Sequence, residues 1–385
     1  MFCAGVVAEY DPFHNGHKYH LEQTRRLGAQ RIVVVMSGDA VQRGEIAAFS
    51  KYKRAQLAIA GGADLVIELS APYSCAPAQV FAENAIRLFA GLGEGVVEAV
   101  SFGSVDADAK SLENAASLCR ELENSESVKQ LTSSGVSYPA AVAKAAQKYS
   151  PKAASILAEP NNVLAVEYIK AAAEIAPWIK PLSVQRVGAL HSDTVPNGSF
   201  ASATVIRQML RHHEDVQKYV PYCLKDTPAE LHNQDRALLM MLLSADENKI
   251  AQRPFINQSM VNRYLKAVQK CPETISEFAQ LIKSRDMTMA RVRRLIMHIL
   301  LEITHSDMTS PVPYGRILAL NEKGAQILAH SQNKTLCYDT SLKNLERTAE
   351  GTRTAMTEKC AVRLRELCSG EPFSNEYTKK IVLTK

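Results

Sequence analysis

The chain has no Cys-x-x-Cys pair. Its eight cysteines (Cys3, Cys75, Cys119, Cys223, Cys271, Cys337, Cys360, Cys368) are scattered over 385 residues, which excludes a zinc-finger ligand set. No apolar run approaches about 18 residues, so no transmembrane helix is expected. Met1 leads into a strand-like run without a basic n-region or cleavage site, so neither secretion nor membrane insertion is expected. The cysteines are then expected as reduced thiols in the cytoplasm. There is no internal repeat and no low-complexity tract. The net charge is only +5; it permits a nucleic-acid partner without demanding one, because local clustering matters more than the sum.

What is present is an ordinary globular composition, 46% hydrophobic and 22% charged, long enough for two or three domains. Over the first hundred residues strand-like runs (5–9, 31–36, 65–69, 96–102) alternate with helical patterns (17–27, 50–61, 78–92). This alternation predicts an α/β fold with a doubly wound parallel sheet. The runs are apolar throughout, as strands covered on both faces are. Ligands of such sheets bind beyond the carboxyl ends of the strands, so the loops 10–16, 37–45, 70–77 and 103–108 are the places to search. Residues 108–175 read as mostly helical, 182–187 as a strand, and a helix opens near residue 201. Past about residue 215 amphipathic helices dominate (229–243, 260–270, 274–282, 290–304). The expected division is a catalytic domain 1–215 and a mainly helical domain 216–385, with short β-like runs at 316–320 and 335–338 in a small mixed unit at the end.

Residues 4–20 carry the clearest chemistry. A strand-like run ends in a loop, and His14-Asn15-Gly16-His17 opens a helix. A helix N-terminus offers unpaired N–H groups and partial positive charge, which suits phosphate. Two imidazoles can hold oxygens that gain charge when an α-phosphate is attacked. Gly16 lets a nucleotide approach the backbone. The plainer alternative is a pair of surface histidines that cap a helix.

Further blocks follow in order. They are Met36-Ser37-Gly38-Asp39-Ala40-Val41-Gln42-Arg43-Gly44-Glu45, Phe102-Gly103-Ser104, Pro160-Asn161-Asn162-Val163-Leu164, Arg186-Val187-Gly188 and Ser202-Ala203-Thr204-Val205-Ile206-Arg207. Together with Tyr10-Asp11-Pro12-Phe13-His14-Asn15-Gly16-His17 they resemble the His-x-Gly-His nucleotidyltransferase superfamily. Within it, the chain resembles the bacterial tRNA(Met) cytidine acetate ligase family. The resemblance implies a Rossmann-like catalytic domain and an ATP-dependent ligase. Such an enzyme forms acetyl-adenylate and pyrophosphate from acetate and ATP. It then moves the acetyl group to N4 of the wobble cytidine of elongator tRNA(Met), releasing AMP. His14 and His17 would be catalytic. ATP would be held by Val7, Ala8, Glu9, the Tyr10–His17 block, Lys18, Tyr19 and His20, by Gly103, by Asn161 or Asn162, and by Arg186 with Val187. Ser202, Thr204 and Arg207 would grip the β- and γ-phosphates, and Ser202 or Thr204 can cap the helix at the same time. Mg²⁺ would arrive with ATP, and no resident metal site is expected. Asp11 and Asp39 stand where the family usually has Asn, which puts negative charge near phosphate unless Mg²⁺ is close by.

Gln42 and Arg43 position acetate or the cytidine, or pack their loop. Lys51, Lys53 and Arg54 read as a solvated helix face. Candidate tRNA contacts are Lys283, Arg285, Arg291, Arg293 and Arg294, with Arg291 and Arg294 on one helix face opposite Leu295 and Ile299. Lys379, Lys380 and Lys385 are a second basic group. Tyr73 stacks the flipped base or belongs to the core. The runner-up function is an adenylyltransferase acting on a phosphorylated small molecule.

Overall fold

The computed structural model describes the chain except Met1, 106–107, Gly135, 188–194, Lys225, 285–286, Gln332, 384–385 and the side chains of Pro160 and Asn161. Gly188, Arg285, Lys385 and the Asn161 side chain therefore lie outside the described residues. Five strands form the parallel part of the sheet: β1 (Cys3–Ala8), β2 (Arg31–Ser37), β3 (Leu65–Leu69), β4 (Ala99–Ser104) and β5 (Lys180–Gln185). Their order is β3-β2-β1-β4-β5. Every residue of β2 and β3 is buried, as the unbroken apolar runs require. β5 starts two residues before the expected run and contains Pro181, which sits opposite Val100. A proline is tolerated there because β5 is an edge strand.

The sheet does not end with the N-terminal half. β6 (Tyr314–Leu320) pairs antiparallel with β3, and β7 (Cys337–Asp339) and β8 (Val382–Leu383) pair parallel with β6. The β-like runs expected to form a small separate unit are thus corrected to strands of the main sheet. The physical reason is the open edge of β3, which buries Ile317, Leu318 and Ala319. A pairing across some 250 residues leaves no local trace in a sequence.

Seven helices matter for the site: α1 (Asn15–Arg26), α2 (Lys51–Ala60), α3 (Ala78–Ala90), α4 (Pro160–Ile175), α5 (Ala203–Arg211), α6 (Met289–Leu300) and α7 (Ala349–Ser369). Helices between 109 and 175 pack with α3 on one face of the sheet in the largest core. A second core joins α6 and α7 to Ala40, Ile46, Ala71 and Cys75. The helices past residue 215 therefore lean on the loops that follow the first strands. Tyr73 belongs to a core: its ring is buried and its hydroxyl donates to the Pro311 carbonyl at 3.1 Å.

The basic start of α2 is not solvated. Lys51 and Arg54 have no exposed surface, which corrects the reading of 51–54 as an outer face; only Lys53 reaches solvent, beside Asp226. Arg54 donates to the carbonyls of Phe49 (2.8 Å), Glu9 (2.7 Å), Ser37 (3.0 Å) and Gly38 (2.6 Å). It gathers the backbone just beyond β1 and β2. Lys51 meets Glu68 (2.7 Å) on β3, Glu358 (3.0 Å) on α7, and Glu376 (3.0 Å), and Arg316 on β6 also pairs with Glu376 (2.5 Å). Burial and the neighbouring Glu358 raise Glu68 to about 8, so it is mostly protonated at neutral pH. Burial opposes ionisation of Glu376, but Lys51 and Arg316 outweigh it and hold it at about 2. Two cations then face two carboxylates and one acid that can donate a hydrogen bond. Removing one partner of a buried ion pair costs about 3–5 kcal/mol because the others stay buried and unpaired. Lys51→Met is expected to lower the unfolding free energy measured by urea titration by that amount, and Lys51→Met with Glu358→Gln to lose less than the sum of the single changes. Additive losses in a denaturation series would contradict the cluster.

Candidate active site

Strand order reverses between β1 and β4, the position where doubly wound sheets bind ligands. A cavity of about 510 Å³ opens there. Val7 and Ala8 at the end of β1, Phe102 and Gly103 of β4, and Val184 and Gln185 of β5 form its floor.

His14 and His17 stand at the start of α1. His14 is the N-cap, with an extended backbone, and its Nδ1 accepts from the Gly16 N–H at 3.0 Å. The His17 Nδ1 accepts in turn from the His14 N–H at 3.3 Å. The two rings stack with centroids 3.7 Å apart. Capping and cavity lining are thus the same arrangement. An imidazole that accepts at Nδ1 carries its proton on Nε2, so the caps set both rings as Nε2–H donors. A Cβ on residue 16 would lie 2.9 Å from the His14 ring; the glycine makes room for that ring to fold back over the helix start.

His20 is engaged differently. The Thr24 hydroxyl donates to the His20 carbonyl (2.9 Å) and lies 2.7 Å from the Ser101 Oγ, which is 3.0 Å from the His20 Nε2. All three bonds are satisfied if Nε2–H donates to Ser101 and Ser101 donates to Thr24. His20 thereby ties α1 to β4. Burial, with His14, His20 and Arg186 nearby, holds His17 well below 6.5. Burial and Arg186 take His20 to about 4.

Carboxylates at the rim are already matched. Arg43 meets Glu9 (2.8 Å), Glu45 (2.6 Å) and Asp11. Arg207 donates to the Asp11 carbonyl (2.5 Å) and to Thr204 Oγ1 (3.3 Å). Burial favours the neutral acid for Asp11, but Arg43, Arg207 and Arg54 outweigh it and lower its pKa. The charge expected to oppose phosphate is thus cancelled at Asp11. Asp39 does not line the cavity; it is buried, accepts from the Lys51 N–H at 2.8 Å and faces Arg54. Both expectations of unwanted charge are corrected by these arginines and Lys51.

Of the other expected ATP contacts, Glu9, Tyr10, Asp11, Tyr19, Arg186, Val187, Ser202, Thr204 and Arg207 line the cavity. The stem of Arg186 lies across Gly103, its Cγ 3.0 Å from where a Cβ would stand. Ser202 caps α5 by accepting from the Val205 N–H at 3.3 Å. Pro12, Phe13, Asn15, Lys18 and Asn162 are not in the lining. Phe13 is core, packed against Tyr10 with centroids 4.9 Å apart. Asn15 ties α1 to the carbonyls of Ser199 (2.9 Å) and Lys218 (3.0 Å). Lys18 pairs with Glu22. Asn162 is buried and brackets the Val105 backbone, accepting at 3.2 Å and donating at 3.4 Å. Apolar walls are supplied by Phe102, part of a recognised block, and by Phe81, Tyr168 and Phe200, which no sequence signal singled out as site residues. Phe200 lies two residues before the Ser202–Arg207 block, which was the available signal; Phe81 and Tyr168 look like any core aromatic.

A second cavity of about 550 Å³ shares Gln42, Arg43, Ala78 and Val163 with the first. Arg291 and Arg294 line it together with Leu295, so the expected opposition of basic and apolar faces does not hold on this side of α6. The Arg294 guanidinium donates to the Gln42 carbonyl at 3.1 Å. Arg293 is exposed and pairs with Glu45 (2.9 Å), and Lys283 is exposed at the end of its helix, in neither lining.

The model of the family described as HIGH Nucleotidyl Transferase matches residues 1–369. A Staphylococcus aureus (strain JH9) protein, "tRNA(Met) cytidine acetate ligase", is 32% identical over 337 residues, covering 86% of each chain. Thermotoga maritima TmcAL has a similar structure in its apo form I (TM-score 0.89, 27% identity) and bound with alpha-thio ATP in form II (TM-score 0.86, 28% identity), each covering 100% of both chains. The chain therefore belongs to the HIGH nucleotidyltransferases, which agrees with the sheet order and the histidine pair at its switch point. Within them, it belongs to the tRNA(Met) cytidine acetate ligase family, and is an enzyme.

The buried imidazoles make the fold acid-sensitive. Burial takes His298 on α6 to about 4 as well, against a bond from its ring to the Cys75 carbonyl. The unfolded chain binds these protons near 6.5, so the unfolded state takes up more protons as pH falls from 6.5 to 4. Stability is complete above that window and is lost on descending through it. Tm is expected to fall from pH 7 to pH 5. The His20 and His298 imidazoles should show NMR titration midpoints below 5; midpoints near 6.5 would contradict their environments.

Proposed function

We propose that the chain is an ATP-dependent ligase that acetylates N4 of the wobble cytidine of elongator tRNA(Met), acting in the cytoplasm. The observation that carries this reading is the pair of Nε2–H donors held by the α1 caps in the first cavity, beside Arg186 and Arg207. Acetate is a weak, anionic nucleophile, and an α-phosphate resists anionic attack, so fixed donors must hold the developing charge. An acetate oxygen attacks the α-phosphorus, the bond to the bridging oxygen breaks, and pyrophosphate leaves. His14 and His17 donate to phosphate oxygens as that charge builds. Arg207 and Thr204, at the start of α5, face the β- and γ-phosphates. Mg²⁺ enters with ATP as part of the substrate. In the second step the cytidine amine attacks the acetyl carbonyl carbon. The mixed-anhydride C–O bond breaks, AMP leaves with that electron pair, and one amine proton passes to water.

Acetate-dependent ATP–pyrophosphate exchange tests the first step. It is expected in the wild type and is expected to fall at least about 100-fold in His17→Ala with the fold retained. Wild-type activity in that variant would sink the assignment. AMP retained on a phosphorylated acceptor, with no response to acetate, would favour the adenylyltransferase reading. Arg291→Glu is expected to weaken tRNA binding, with a shallower salt dependence than the wild type, and to spare exchange; unchanged affinity at low salt would place the tRNA face elsewhere.

A further inference from the structure

The second cavity is lined mainly by residues that do not reach the first, yet four residues join the two. The hairpin of Ala40–Val41 and Glu45–Ile46 stands between the two. Its turn is pressed onto α6: Gly44 has φ 81°, and a Cβ there would lie 2.3 Å from the Arg294 nitrogen. Only glycine fits that conformation and that approach. Gln42 is pinned through its backbone on both sides, its N–H donating to Glu9 (2.8 Å) and its carbonyl accepting from Arg294. Its carboxamide makes no hydrogen bond to another described residue and lines both cavities. A donor and an acceptor are thus presented from a fixed point at the junction.

The walls of the second cavity suit one nucleotide. Arg291 and Arg294 supply positive charge, and Arg294 pairs with no carboxylate among the described residues. The acidic lining residue Glu167 is neutralised by Lys170 at 3.1 Å. Tyr138 and Phe255, 39% and 41% exposed, offer ring faces for stacking. The deeper lining is apolar, including Val142 and Leu157, and a volume of about 550 Å³ is in the range of small-ligand sites.

We propose that the second cavity receives a single flipped pyrimidine nucleobase of an RNA strand and that Gln42 positions the amine-bearing edge of that base toward the first cavity. The proposal rests on the reading of the first cavity as the adenylate site. Cytosine presents an amine donor next to a ring-nitrogen acceptor, which a carboxamide matches with its oxygen and its NH₂. Arg291 and Arg294 take the flanking phosphates, and the apolar wall keeps water from the acyl-adenylate until the amine arrives.

Ala290 lines the second cavity from α6 and not the first. In the full-length enzyme, Ala290→Trp is expected to keep acetate-dependent exchange without tRNA within about twofold of wild type. Acetyl transfer to tRNA is expected to fall at least tenfold. Gln42→Ala, at saturating tRNA, is expected to raise the AMP released per acetylated tRNA several-fold, because a misplaced amine leaves the adenylate to water; a purely structural role would not change that ratio. Wild-type transfer by Ala290→Trp would overturn the proposal. So would joint loss of exchange and transfer, which would make the cavity part of the ATP site, or an unchanged AMP ratio in Gln42→Ala. Absence of acetate-dependent exchange in the wild type would appear before any variant is made and would overturn the underlying reading together with this one.

Discussion

The start of α2 is the constraint on which the rest depends. Lys51 and Arg54 lie one turn apart with no water around them. Arg54 satisfies carbonyls at and just beyond the ends of β1 and β2, while Lys51 reaches carboxyl groups on β3, on α7 and beyond it. Buried charge is tolerated only when it is paired and hydrogen-bonded. Folding the loops beyond β1 and β2 and docking α7 therefore become one event. Arg365 of α7 extends the cluster to Asp39 (3.7 Å) and to Glu371 (2.7 Å). The helices past residue 215 complete the ends of the strands rather than hanging from them.

That rigidity serves the histidines. A phosphate-binding helix start works when its donors are aimed before the ligand arrives, since reorganisation during the reaction would cost what the donors supply. Here the orientation comes from ordinary capping bonds, and the tautomers follow from them. The anionic groups at the cavity are matched by Arg43 and Arg207. Asp11 is accommodated because two guanidinium groups already face it.

The two cavities share a divider that is itself anchored. The hairpin 40–46 touches the nucleotide loop through Glu9 and α6 through Arg294. The histidine-lined space and the arginine-lined space thus meet at Gln42.

The strand–loop–helix start, the helix caps and the motif blocks follow from local pattern, because hydrophobic period, capping residues and turn residues act within a few positions. On that basis the parallel sheet, the switch-point loop and much of the lining of the first cavity were legible, His14, His17, Arg186 and Arg207 among them. Tertiary structure alone decided three things. The run 314–320 became a strand of the main sheet because β3 offered an open edge, and non-local pairing carries no local signature. Lys51 became core because Glu358 and Glu376, some 300 residues away, converge on it, and Arg54 because carbonyls from three separate segments (Glu9, Ser37–Gly38 and Phe49) meet at its guanidinium; without such partners both would face water. Asn162 became a backbone clamp, and Gln42 met Arg294, because residues distant in sequence converge there. A sequence names the groups a site can use, but which of them share a wall is settled by packing.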